Sequence, residues 1–129
     1  MITSPYDKYR QSSVKTSSPA QLLLMLYDGA IRFVKVALEG MDAADFEKVS
    51  TNLGKAQTIV NELITTLDNT YEVSQSLAAL YEYINHLFIV SNIKKSKEPA
   101  EEAMGYLLEL RQTFAQAAKM TTGQDLQHG

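Results

Sequence analysis

A chain of 129 residues that is 45% hydrophobic is long enough for one domain with a core and too short for two. Cysteine is absent, which removes disulfides, thiolate nucleophiles and cysteine-based zinc sites together and fits a reducing compartment. The net charge of −3 argues against a nucleic-acid binder, and neither an apolar leader core nor a membrane-length apolar run occurs, so a cytoplasmic protein without membrane insertion is expected.

Residues 1–17 read as an irregular, polar leader in which Tyr6, Tyr9 and Val14 are isolated apolar points. A first helix over about 18–41 then opens with clear chemistry. Ser18 suits the N-cap, Pro19 the first turn, and Gln21 closes a capping box. The charged positions Asp28, Arg32, Lys35 and Glu39 form one narrow stripe, and almost everything else is apolar. Such a helix must be covered on most of its circumference, either by the bundle or, over part of it, by a partner.

A second helix over about 43–68, capped by Asp42 or Asp45, carries Phe46, Val49, Leu53, Ala56, Val60, Leu63 and Leu67 at steps of three and four. Gly54 within it costs roughly 1 kcal/mol relative to alanine and is expected to permit a close helix crossing. After the turn residues Asp68-Asn69-Thr70, Ser74 is read as the cap of a third helix over about 74–95, with an inner face of Leu77, Leu80, Tyr81, Ile84, Leu87, Phe88 and Ser91. Its terminal Lys94 and Lys95 complement the helix macrodipole. Ser96 and Pro99 open a fourth helix over about 97–119, with a seam of Ala103, Met104, Leu107, Leu108, Arg111, Phe114 and Ala118. Residues 120–129 read as a frayed tail. Short links between four long helices predict an all-α, antiparallel up-down four-helix bundle.

The residues of chemistry are few. His86 follows Glu82 by four residues on a polar stripe, whereas a carboxylate-bridged metal site needs Glu-x-x-His pairs and further inward glutamates. A phosphotransfer histidine needs a nearby cation for the phosphoryl group, and Leu87-Phe88-Ile89-Val90 supplies none. No phosphate-binding loop or nucleophile elbow occurs. No metal, no cofactor and no enzymatic activity are expected; the pattern is that of a binding protein.

Two stretches are more specific. Tyr9, Val14, Thr16, Ser18, Pro19 and Leu22, followed by Met25-Leu26-Tyr27-Asp28-Gly29-Ala30, resemble the opening of the flagellar secretion chaperone family. The second and third helices resemble it too, through Asn52-Leu53, Lys55-Ala56-Gln57, Ile59, Glu62-Leu63 and Leu77-x-x-Leu80-Tyr81-x-Tyr83-Ile84. Departures are small: Ser17 for the usual alanine, Ser91 where alanine is common, and Phe114 where tryptophan often closes the fourth helix. The resemblance implies a chaperone that holds the C-terminal segment of flagellin, stops premature polymerisation and presents it to the flagellar export gate, with an anti-sigma regulator as a further partner. The alternative is a regulatory bundle that binds a transcription-control protein or homodimerises through its first helix; monomer and weak homodimer both stay open.

For the client, the sequence offers Tyr6, Tyr9, Val14 and Leu22, then a second stripe on the second helix, Asn52, Lys55, Ile59 and Glu62, and finally Tyr81, Tyr83 and Ile84. Ile59 is either a peripheral core residue or the floor of a groove. Tyrosines suit interfaces because the ring buries while the hydroxyl keeps a partner. For Tyr6 and Tyr9, gripping a client and belonging to a plain tail are equally open readings.

Overall fold

A computed structural model of the chain describes residues 18–68 and 70–128, with side chains as far as Met120. Its elements are α1 (Pro19–Asp42), α2 (Phe46–Thr65), α3 (Glu72–Lys94) and α4 (Lys97–His128), with no strand among the described residues. The capping box forms as expected: Ser18 Oγ accepts from the Gln21 amide at 3.2 Å, and Gln21 Oε1 accepts from the Ser18 amide at 3.1 Å. Of the two acids before α2, Asp45 is the cap, its carboxylate accepting from the Lys48 amide at 3.2 Å.

Helix α1 packs on α2 and α4, and α3 packs on α2 and α4, so the four helices form a closed square. Contacts along each edge run in opposite directions. Lys97 and Arg111 of α4 meet Asp42 and Asp28 of α1, while Asn85 and Asn92 of α3 meet Asn61 and Ser50 of α2. The square is therefore antiparallel and up-down. Its core holds the α2 seam (Val49, Leu53, Ala56, Val60 and Leu63) against Leu26, Tyr27, Val34, Tyr81, Phe88 and Leu107.

One interaction crosses the diagonal. The hydroxyls of Tyr27 on α1 and Tyr81 on α3, both at the centre of the core, hydrogen-bond to each other. Phe114 stacks on Tyr27 at 5.8 Å between centroids. Burial pushes both phenols above their ordinary pKa, so the pair stays neutral.

Several boundaries and roles differ from the sequence reading. Helix α2 stops at Thr65 rather than 68, because the Asp68 carboxylate accepts from the Thr70 amide at 3.0 Å and hydroxyl at 2.8 Å and nucleates a turn. Helix α3 begins at Glu72 with Tyr71 as its cap; Ser74 is already inside the helix, and buried. Helix α4 runs on to His128 past the stretch read as tail, since no proline interrupts it. Leu108, read as seam, is 46% exposed. Gly54 is not at a close crossing, because a Cβ there would meet nothing within 4 Å. The close approach is at Gly40, where a Cβ would lie 3.1 Å from the Asp45 carbonyl oxygen and 3.1 Å from Val49 Cγ2. Glycine there lets α1 turn sharply into α2.

Candidate functional site

The α1–α2 edge carries Leu22, Asn52, Lys55, Ile59 and Glu62 of the client residues expected from sequence. Gly40 sits against Val49, and Lys55 Nζ lies 5.4 Å from the centre of the Phe33 ring. Continuing this antiparallel register sets Gly29 level with Ile59 and Leu22 level with Thr66. On the α1 side the stripe is Leu22, Met25, Gly29, Phe33, Val36 and Gly40, at steps of three and four. Leu22, Met25, Phe33 and Val36 are only half-buried. Facing them on α2 are Asn52, Lys55, Ile59 and Glu62.

These four are not equivalent. Ile59 is fully buried among core residues, so within this chain the core reading of Ile59 holds. Lys55 is exposed and covers the Phe33 ring, which the Arg32 guanidinium also approaches at 5.5 Å. Asn52 is half-buried and donates to the Lys48 carbonyl at 2.8 Å, a bond along its own helix. Glu62 is half-buried too and accepts a long bond, 3.4 Å, from the Thr65 hydroxyl. The result is an apolar floor with a rim of both charge signs, suited to an amphipathic segment.

The structure does not bring the other expected residues here. Tyr81 and Ile84 are core residues. Tyr83 is 44% exposed on the α3–α4 edge, across the bundle, where its hydroxyl donates to Glu102 Oε2 at 2.9 Å. Tyr6, Tyr9 and Val14 lie outside the described residues. Met25, Phe33 and Val36 were absent from the expected set, although the signal was available: they recur at helical steps from Leu22. They are hard to pick out in a helix that is apolar nearly all round.

The stretch Tyr27-Asp28-Gly29 acquires a structural meaning. Tyr27 is the diagonal phenol, Asp28 takes a two-point bond from Arg111 (2.7 Å from Nε and 3.3 Å from Nη2), and Gly29 lies buried in the α1 stripe. Each adjacent residue thus addresses a different neighbour: α3, α4 and the α2 edge. The family model described as "Flagellar protein FliS" matches residues 2–121.

The chain belongs to the FliS family. It is 38% identical over 116 residues to the flagellar secretion chaperone FliS of Bacillus subtilis, covering 90% of this chain and 87% of that protein. Over 118 residues it is 28% identical to the chaperone of the same name from Salmonella typhimurium, with 89% and 87% covered. The Campylobacter jejuni chaperone is 30% identical over 101 residues, 77% of this chain and 79% of that one. FliS proteins are chaperones rather than an enzyme family, and among the described residues no group of three metal-binding side chains occurs. No described helix is long and apolar enough to cross a membrane.

Proposed function

We propose that this FliS-family protein is a cytoplasmic export chaperone. It binds the C-terminal segment of flagellin along the α1–α2 groove, keeps that segment from polymerising early, and delivers it to the flagellar export apparatus. The observation that carries the reading is the half-buried apolar stripe Leu22, Met25, Phe33 and Val36, set beside the polar rim of Asn52, Lys55 and Glu62. Apolar side chains left half-buried along one helix edge offer surface to a partner, and an amphipathic segment that folds on binding needs such a stripe as a template. Of the other expected residues, Ile59, Tyr81 and Ile84 belong to the core, and Leu22 stands at one end of the stripe.

The test is calorimetry of the purified chain with a peptide spanning the flagellin C-terminal segment from the same source. Binding near one to one, with helix gained by the peptide in circular dichroism, is expected. Lys55→Glu and Phe33→Ala should weaken it, Phe33→Ala by about 2 kcal/mol or more if the ring is a central anchor. Absence of binding by a peptide confirmed to be flagellin would refute the assignment.

A further inference from the structure

The α3–α4 edge, opposite the α1–α2 groove, holds an arrangement that neither the core nor the client groove uses. Glu102 accepts two phenol hydrogen bonds at a single carboxylate oxygen, Oε2: from Tyr83 at 2.9 Å and from Tyr106 at 3.2 Å. The Tyr83 ring stacks on His86 at 6.4 Å and meets Tyr106 edge-on at 6.1 Å. Two helices thus fix three rings around one carboxylate at the surface. Donation to Glu102 raises both phenol pKa values, so the hydroxyls keep their protons and the carboxylate its orientation.

Three other carboxylates, Asp28, Glu39 and Asp42, face a cation from a neighbouring helix; Glu102 is instead held by two phenols. Among the described residues Glu102 has no ion-pair partner, and its second oxygen, Oε1, accepts no hydrogen bond. With both lone pairs of Oε2 taken by the phenols, Oε1 of a fixed carboxylate retains its acceptor capacity beside exposed aromatic faces. A Cβ on Gly105, one turn further along α4, would meet nothing within 4 Å, so the backbone there is bare and open to close approach. Glu109 adds a second negative charge near Tyr106.

We propose that this edge is a docking surface for an arginine-bearing segment of a partner protein other than the client. Charge complementarity selects a cation, and the rings select which one. A planar guanidinium stacks on an aromatic face while its fork of N–H donors meets a carboxylate. A lysine ammonium, compact and strongly hydrated, does only part of this. Because the two grooves lie on opposite sides of the square, this one stays open whatever occupies α1–α2. The proposal therefore stands independently of the flagellin reading.

The test is a titration of the full chain, followed by amide chemical shifts at low ionic strength, with the peptide acetyl-Arg-Ala-Ala-Arg-amide. Its lysine and citrulline counterparts serve as controls. Saturable shifts confined to Tyr83, His86, Glu102, Gly105 and Tyr106 are expected, with arginine tighter than lysine and citrulline silent. Glu102→Gln, which keeps the side-chain shape at an exposed position, should weaken arginine binding about fivefold without moving the thermal midpoint appreciably. Shifts spread over unrelated acids such as Glu47 and Glu72, or affinity unchanged in Glu102→Gln, would overturn the proposal. The same variant should leave flagellin calorimetry unchanged; a loss there would make this edge part of the client site and refute a separate partner.

Discussion

Tyr81→Phe removes one oxygen from the centre of the bundle and leaves the ring in place. Tyr27 then keeps a phenol hydroxyl at 0% exposure whose hydrogen-bond partner among the described residues has gone. The loss is not just the net value of a hydrogen bond, about 1 kcal/mol, but the desolvation of an orphaned buried group, about 1–3 kcal/mol. Tyr27→Phe orphans Tyr81, which is 1% exposed, in the same way. In the double variant both hydroxyls are absent, nothing is orphaned, and the ring at 27 still stacks on Phe114. Its stability should lie within about 1 kcal/mol of the parent. The singles therefore should not add: the double is expected to be more stable than at least one of them, with a coupling energy of about 1–3 kcal/mol. Urea unfolding of the four proteins at neutral pH, followed by far-UV circular dichroism and compared at equal m-values, measures this directly. A double variant as unstable as the sum of the singles would refute the reasoning, since it would mean that each hydroxyl is satisfied separately.

The same pair predicts alkaline sensitivity. Folding raises these phenols above the ordinary 10.0, so their stabilisation is complete below pH 10.0 and is lost as pH climbs beyond it, by up to about 1.4 kcal/mol per pH unit for each tyrosine. The double Phe variant should lose less, as read from urea midpoints across that range. Gly54→Ala, with open space for its Cβ in a helix interior, should stabilise the chain by about 0.5–1 kcal/mol in thermal unfolding; destabilisation would reveal a contact that the structure does not contain. Ile59→Asp sets an unpaired carboxylate in the core and should cost more than about 4 kcal/mol, visible as lost cooperativity, whereas a folded variant would return Ile59 to the surface. Removal of residues 1–15 spares the Ser18 cap and should keep the helical signal; altered flagellin affinity would assign Tyr6, Tyr9 or Val14 a part in binding, and unchanged affinity would deny it.

Local chemistry was legible in the sequence wherever it acts over a few residues. The Ser18-Pro19-Gln21 start is written in adjacent side chains, and the α2 seam in steps of three and four, so both are found without knowing what lies opposite. Two of the misreadings share one cause, which is that the deciding partner lies on another element. Glycines 40 and 54 look alike in a helix pattern, and only the position of Asp45 and Val49 shows that Gly40 is the close approach. Tyr81 and Tyr83 are two residues apart and were equal candidates for the client. One turned inward to meet Tyr27 and the other outward to Glu102 because α1 and α4 stand where they do. The start of α3 was misplaced for a subtler reason: the Asp68–Thr70 turn closes early and lets the helix begin before the first good capping serine.

The corners of the square are unequal. Gly40, Ala44 in a left-handed conformation (φ 54°) and the Asp45 cap tie α1 tightly to α2. Lys95 (φ 51°) and the Ser91–Ser96 bonds do the same for α3 and α4. The link from Thr66 to Tyr71 is held by the Asp68–Thr70 turn, by the Thr66 and Leu67 amide bonds back to the end of α2, and by Leu67 packed on the core. Mechanically the molecule is two clasped hairpins joined by a short link. Each of the two proposed binding edges lies within a hairpin, and neither spans the seam between hairpins. The seams between the hairpins are closed by more than the core: Arg111–Asp28 and Lys97–Asp42 tie α4 to α1, and Asn85–Asn61 ties α3 to α2, so each hairpin is held to the other by polar contacts on both sides.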